Sequence, residues 1–195
     1  MKTETKKSLI QYGLFGAIAL ILYLTGLHTE VIGFAQRGLL ATGIMKPDVT
    51  EKTLALNEHA KADLNFQLLN SKGETIYMED LKGKVIFMNI WATWCPPCVA
   101  EMPGISELSK SMENENVAFI MLSVDSSFDK AKKYNENKGY HFDVHSLQTQ
   151  LPDMFSTSGI PATYVIDARG TLALTHIGIG DYDTNEFRDF LKSLM

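Results

Sequence analysis

Two prolines lodged between two cysteines, directly behind an apolar run, restrict this chain more than any other feature. Val85-Ile86-Phe87-Met88-Asn89-Ile90-Trp91 is almost wholly apolar, as a strand covered on both faces must be. Trp91-Ala92-Thr93-Trp94-Cys95-Pro96-Pro97-Cys98 follows it. Proline has no N–H and a fixed φ, so it ends a central strand yet fits the first turn of a helix, whose N–H groups lack partners anyway. The pattern predicts a buried strand, a tight turn carrying Cys95, and a helix from about Pro96 to Met112, with Pro103 kinking that helix.

This position gives the cysteine pair its chemistry. A sulfur at a helix N-terminus meets the positive end of the macrodipole and unpaired backbone N–H groups, which lower a thiol pKa. Cys95, the first and more exposed, is the expected attacking thiol. Cys98, one turn further in, is placed to resolve the mixed disulfide. Pro96 and Pro97 stiffen the loop between them. The chain has only these two cysteines. A structural pair would gain little from so short a loop, and a zinc half-site would need a second C-x-x-C or an H-x-x-x-H that the sequence lacks. Redox exchange by the pair itself, with no cofactor and no metal, is the better explanation.

The strands and helices around this motif alternate. Phe66–Leu69 reads as a short strand before the turn Asn70-Ser71-Lys72-Gly73, and Val117–Val124 as a second buried strand. Phe128–Lys138 reads as a helix stopped by Gly139. His141–Val144 is a candidate short strand and Thr149–Ser156 a candidate short helix. Thr163–Asp167 and Leu172–Ile177 form a hairpin around Ala168-Arg169-Gly170, and Thr184–Leu194 is the closing helix. An α/β domain with a mixed central sheet flanked by helices follows, occupying residues 64–195.

Ahead of it, Leu9–Leu27 holds 19 residues without a charge, about 28 Å as a helix and close to a hydrocarbon core. Lys2, Lys6 and Lys7 precede it against Glu4 alone. Residues 1–8 are therefore expected inside the cytoplasm, residues 9–27 as one transmembrane helix, and the rest outside. A cleaved signal peptide fits less well, because the run is long and no small-residue cleavage site follows. Residues 28–63 form a membrane-proximal segment and linker. Within it Val31–Met45 reads either as an amphipathic helix on the membrane surface or as a frayed continuation of the span, and Lys46–Asp63 as a tether. A formal charge of -5 gives no reason to expect a nucleic-acid partner.

The Trp-Ala-Thr-Trp-Cys-Pro-Pro-Cys run, with Ile160-Pro161-Ala162-Thr163 downstream and Leu81-Lys82-Gly83-Lys84-Val85 upstream, resembles the thioredoxin superfamily. More narrowly it resembles the TlpA/ResA branch of membrane-anchored bacterial thiol–disulfide oxidoreductases. The resemblance implies a thioredoxin-like fold over residues 64–195 and a cis bond between Ile160 and Pro161. It implies that the Ile160–Pro161 loop lies against the cysteines and offers backbone groups to a client peptide, and that Trp94 shields the site and contacts substrates beside Pro96 and Pro97. It places Glu101, three residues after Cys98, near the cysteines as a group that influences their proton transfer; most helix glutamates are simply solvated. Asn89 stands where thioredoxins proper carry a buried acid, and an amide cannot titrate.

The partners implied are client proteins with disulfides, apocytochromes c among them, and an upstream membrane thiol reductase. The implied location is the periplasm or the outer face of the cytoplasmic membrane. Two other readings compete. A thiol peroxidase would place threonine where Ala92 stands, and a copper-handling or protein-binding module would need further converging ligands. His59, His141, His145 and His176 are scattered, and Met88 and Met121 read as gap-fillers in buried strands.

Overall fold

The fold comes from a computed structural model that describes residues 2–25, 27–40, 47 and 60–195. The expected tether Lys46–Asp63 lies outside the described residues apart from Pro47 and residues 60–63, and so does His59. A seven-stranded sheet in the order β2-β1-β5-β4-β3-β6-β7 organises the rest. Its strands are β1 Gln67–Asn70, β2 Thr75–Tyr77, β3 Val85–Trp91, β4 Val117–Ser123, β5 Val144–Leu147, β6 Ala162–Ile166 and β7 Leu172–Ile177. β3, β4 and β5 run parallel, while β6 and β7 at one side and β1 and β2 at the other pair antiparallel. The helices are α1 Lys2–Thr25, α2 Leu27–Leu40, α3 Pro96–Ser111, α4 Phe128–Lys138 and α5 Asn185–Ser193.

Every residue of β3 is buried, and its alternation divides the core in two. Val85, Phe87 and Trp91 join Met102, Ile105 and Leu108 of α3 and Phe187 and Leu191 of α5. Ile86, Met88 and Ile90 face the other way, towards Leu64, Phe66, Leu68 and Phe155. Each such side chain contributes roughly 1.5–3 kcal/mol by leaving water. Asn89 belongs by parity to the α3 side. Gly139 ends α4 at φ 64, a left-handed conformation that glycine adopts without a Cβ clash.

Several expected elements shift. The third short strand is Val144–Leu147, not His141–Val144; Phe142 instead tucks into the core from the preceding loop. Thr149–Ser156 contains only a three-residue 3-10 turn, Asp153–Phe155, since Pro152 cannot sit inside a helix. β2 is an additional edge strand. Ahead of β1, Lys61 bridges Thr171 next to β7.

The apolar run expected as one helix over Leu9–Leu27 is divided between α1, which ends at Thr25, and α2, which starts at Leu27. No single helix among the described residues is long and apolar enough to cross a membrane. Ile10–Thr25 and Leu27–Leu40 reach that measure only together, and they meet at 95°. The bend has side-chain support: His28 Nδ1 lies 3.3 Å from the Leu22 carbonyl oxygen, and the His28 ring stacks on Tyr23. α2 then packs on α3, with Gly33 at the closest approach. A Cβ at that position would stand 3.2 Å from the Pro96 carbonyl oxygen and 3.3 Å from Val99 Cγ1.

Candidate active site

Cys95 caps α3. Its backbone is extended, and its Sγ accepts the Cys98 N–H at 3.3 Å. With Pro96 and Pro97 occupying the first helical positions, that N–H is the donor left to face the sulfur. The two sulfurs are bonded to each other. Cys95 is 4% exposed and Cys98 fully buried, so the expected order of access holds, although Cys95 is less open than its position suggested. The loop in front is held by Asp125 beyond β4. Its carboxylate accepts the Thr93 N–H at 3.0 Å, the Thr93 hydroxyl at 2.7 Å and the Ser123 hydroxyl at 2.9 Å.

The bond between Ile160 and Pro161 is cis. The Ile160 carbonyl oxygen lies 3.8 Å from Cys95 Sγ, so the cysteine pair and the Ile160–Pro161 bend share one surface. Trp94, 59% exposed, stands on that surface. It forms one wall of a groove of about 330 Å³ together with Thr93, Tyr134, Leu27, His28 and Thr29.

Glu101 is not a solvated helix residue. It is buried beneath α3, where the Asn89 amide donates to Oε1 at 2.8 Å and the Gly180 N–H to Oε2 at 3.0 Å. Burial pushes its pKa up to about 8, against the lowering effect of the Gly180 and Asn89 hydrogen bonds. A carboxyl in this range exchanges protons near neutral pH. Asn89 also donates to Thr163 Oγ1 at 2.9 Å, and the Tyr182 hydroxyl donates to the same oxygen at 2.7 Å. Burial holds the Tyr182 phenol in its neutral form, and the neighbouring Glu101 adds to that shift. A cavity of about 170 Å³ lined by Glu101, Gly104, Gly180, Tyr182, Arg37 and Leu40 adjoins the carboxyl. Asn89, which the sequence marks only as unable to titrate, thus positions the acid.

Asp125, Gly180 and Tyr182 carry no local sequence signal, and Thr163 stands out only as the last residue of Ile160-Pro161-Ala162-Thr163. Apart from Ser123, two residues from Asp125, their partners lie far along the chain, 79 residues away for Gly180 and Glu101. His145 is buried in β5, and burial lowers its pKa against the opposing charge of Asp143; it belongs to the sheet and not to this site.

The AhpC/TSA family model matches residues 58–175. The chain belongs to this family. It is 31% identical over 125 residues to the thiol-disulfide oxidoreductase ResA of Bacillus subtilis, covering 60% of this chain and 70% of that one. It is also 31% identical over 146 residues to ResA of Geobacillus thermodenitrificans, covering 74% and 82%. With a bonded cysteine pair at the start of α3, this family member is a thiol–disulfide oxidoreductase of the ResA type. A crystal structure of a thiol:disulfide interchange protein of the thioredoxin family from Chlorobium tepidum superposes with a TM-score of 0.57 at 24% identity, over 70% of this chain and 98% of that one. The mixed sheet and its helices are thioredoxin-like.

Proposed function

We propose that this protein is a membrane-anchored disulfide reductase acting outside the bacterial cytoplasm. Cys95, as thiolate, attacks a client disulfide. A Cys95–client sulfur bond forms and one client thiolate leaves to take up a proton. Cys98 then gives its proton to the ionised fraction of Glu101 or to water and attacks Cys95 Sγ. The Cys95–Cys98 disulfide closes, the second client thiol is released, and two electrons have passed to the client. An upstream membrane thiol reductase restores the dithiol. Pro161 and Ile160 present backbone to the client while Trp94, Pro96 and Pro97 shape the contact. Clients with haem-attachment cysteines, as in cytochrome c maturation, are the class implied by the TlpA/ResA resemblance.

The observation that carries this reading is the placement of Cys95 Sγ between the Cys98 N–H and the cis Ile160–Pro161 bend. A sulfur there is stabilised as an anion by the N–H and lies where a client strand would pair. Anchoring is supported by α1, whose large apolar side chains from Ile10 to Leu24 are exposed apart from half-buried Leu22. Its apolar stretch Ile10–Thr25 is about 24 Å long, a few ångströms short of a typical hydrocarbon core, a mismatch that bilayer thinning absorbs at modest cost. The lysines before it favour the cytoplasmic side for the N-terminus.

Cys98→Ser removes the resolving thiol and is expected to accumulate client adducts on Cys95 in the native membrane, detected by non-reducing electrophoresis and mass spectrometry. Absence of any Cys95-linked protein would overturn the mechanism. Redox titration against glutathione reads direction, and a potential above that of the glutathione pool would make the protein an oxidant.

A further inference from the structure

α2 has two faces, and only one of them is covered. Thr29, Gly33 and Leu40 are buried and Gln36 is half-buried; they recur at helical spacing along one stripe. Glu30 beside this stripe pairs with Lys138 of α4 at 2.8 Å. Leu27, Val31, Phe34, Ala35, Gly38 and Leu39 occupy the opposite arc, with Ile32 at its edge; half-buried His28 falls between Ala35 and Leu39, and the arc contains no Asp, Glu, Lys or Arg. Phe34 is 73% exposed, the most open large apolar side chain of the helix.

Two observations say what covers this arc. It continues the exposed apolar surface of α1. It leaves α1 at 95°, so with α1 along the bilayer normal α2 lies in the plane of the surface. The Arg37 guanidinium stands over the Phe34 ring at 5.7 Å but is half-buried on the domain side, where it lines the cavity beside Glu101.

We infer that α2 lies in the headgroup layer of the outer leaflet, its Leu27–Val31–Phe34 arc in lipid and its Thr29–Gly33–Leu40 stripe under the domain, so that the cysteine pair faces the membrane at a fixed height. This rests on the anchored reading proposed above. Because α2 touches the first turn of α3 directly, Cys95 stands roughly 15 Å from lipid, one helix diameter plus a side chain. The groove beside Trp94 opens at the same elbow. The matching partners are proteins whose disulfides or thiols lie at the bilayer surface, such as an integral membrane reductase, in preference to freely diffusing substrates.

The test uses the full chain in phosphatidylcholine–phosphatidylglycerol vesicles, with p-benzoylphenylalanine introduced singly at Phe15, Phe34 or Lys72 and adducts identified by mass spectrometry after illumination. Lipid adducts at Phe15 read the anchor alone. The inference expects lipid adducts at Phe34 in yields roughly five-fold or more above Lys72, as for an interfacial side chain. Labelling at Phe15 with Phe34 no higher than Lys72 overturns the inference and leaves the anchor standing. Adducts from Phe34 to a second chain overturn it in favour of a dimer face. No lipid adduct at either phenylalanine overturns the anchor and the inference together.

Discussion

Glu101→Gln offers a direct test of the buried acid. In the folded chain the carboxyl titrates near 8, against 4.5 for the group in its ordinary state. Between those values the unfolded chain has released the proton and the folded chain still holds it. Stability therefore falls as pH rises, by up to about 1.4 kcal/mol per pH unit. Across the whole window the loss is about 5 kcal/mol, and it persists above the folded pKa. Below the lower value both states are protonated and nothing is lost.

Glutamine mimics the protonated acid and removes this dependence. Its carboxamide oxygen still accepts, and its NH2 group can donate to Asn89 Oδ1, which has no partner among the described residues, if the Asn89 amide turns over. The variant is expected to match the parent within about 1–2 kcal/mol at pH 5, the scale of one altered buried hydrogen bond. At pH 9 it should exceed the parent by several kcal/mol. The assay is equilibrium urea unfolding of both oxidised proteins in mild detergent from pH 5 to 9. Taking the difference between the two cancels the other titrating groups. A difference that stays constant within about 1 kcal/mol across this range would refute the assignment of a raised pKa to Glu101.

Asp125→Ala removes the acceptor for the Thr93 N–H and the Thr93 and Ser123 hydroxyls; a loss of about 1–3 kcal/mol in stability and slower reduction of insulin disulfides are expected, read by denaturation and by turbidity. Gly180→Ala would place a Cβ 2.7 Å from Cζ of the Tyr182 ring. It should cost about 1–3 kcal/mol through overpacking and shift the pH dependence of exchange, because the Gly180 N–H holds Glu101; a variant with unchanged melting temperature and pH profile would contradict the described geometry.

How much of this was legible depended on whether the signal was local. β3 and β4 announce themselves as continuous apolar runs because both faces of the sheet are covered at its centre. α4 is bounded by its own C-terminal glycine, and α5 by Thr184, whose side chain accepts the Phe187 N–H. The cysteine pair and its helix could be placed from the prolines alone. β2 escaped notice because three residues at a sheet edge, largely exposed, bury too little to leave a pattern. The division of the Leu9–Leu27 run escaped it too, since nothing in an uninterrupted apolar stretch distinguishes one straight helix from two joined at an elbow. The cis bond at Pro161 and the importance of Glu101 came from resemblance. The group around Glu101 was hidden for another reason: Asn89, Thr163 and Tyr182 come from β3, β6 and the segment before α5, and only the folded sheet brings them together.

The two prolines of the active-site turn have an effect beyond stiffness. In a helix opening with ordinary residues the capping group can accept the N–H of the second or third position; Pro97 removes the first of these and leaves the Cys98 N–H alone. The anion at Cys95 is then less well solvated by the backbone than in a turn with free amides, and the dithiol gains correspondingly little over the closed ring. Strong oxidants of this kind are those whose open form is favoured. Withholding an amide from the sulfur would bias the pair in the opposite sense, the reductase direction proposed above.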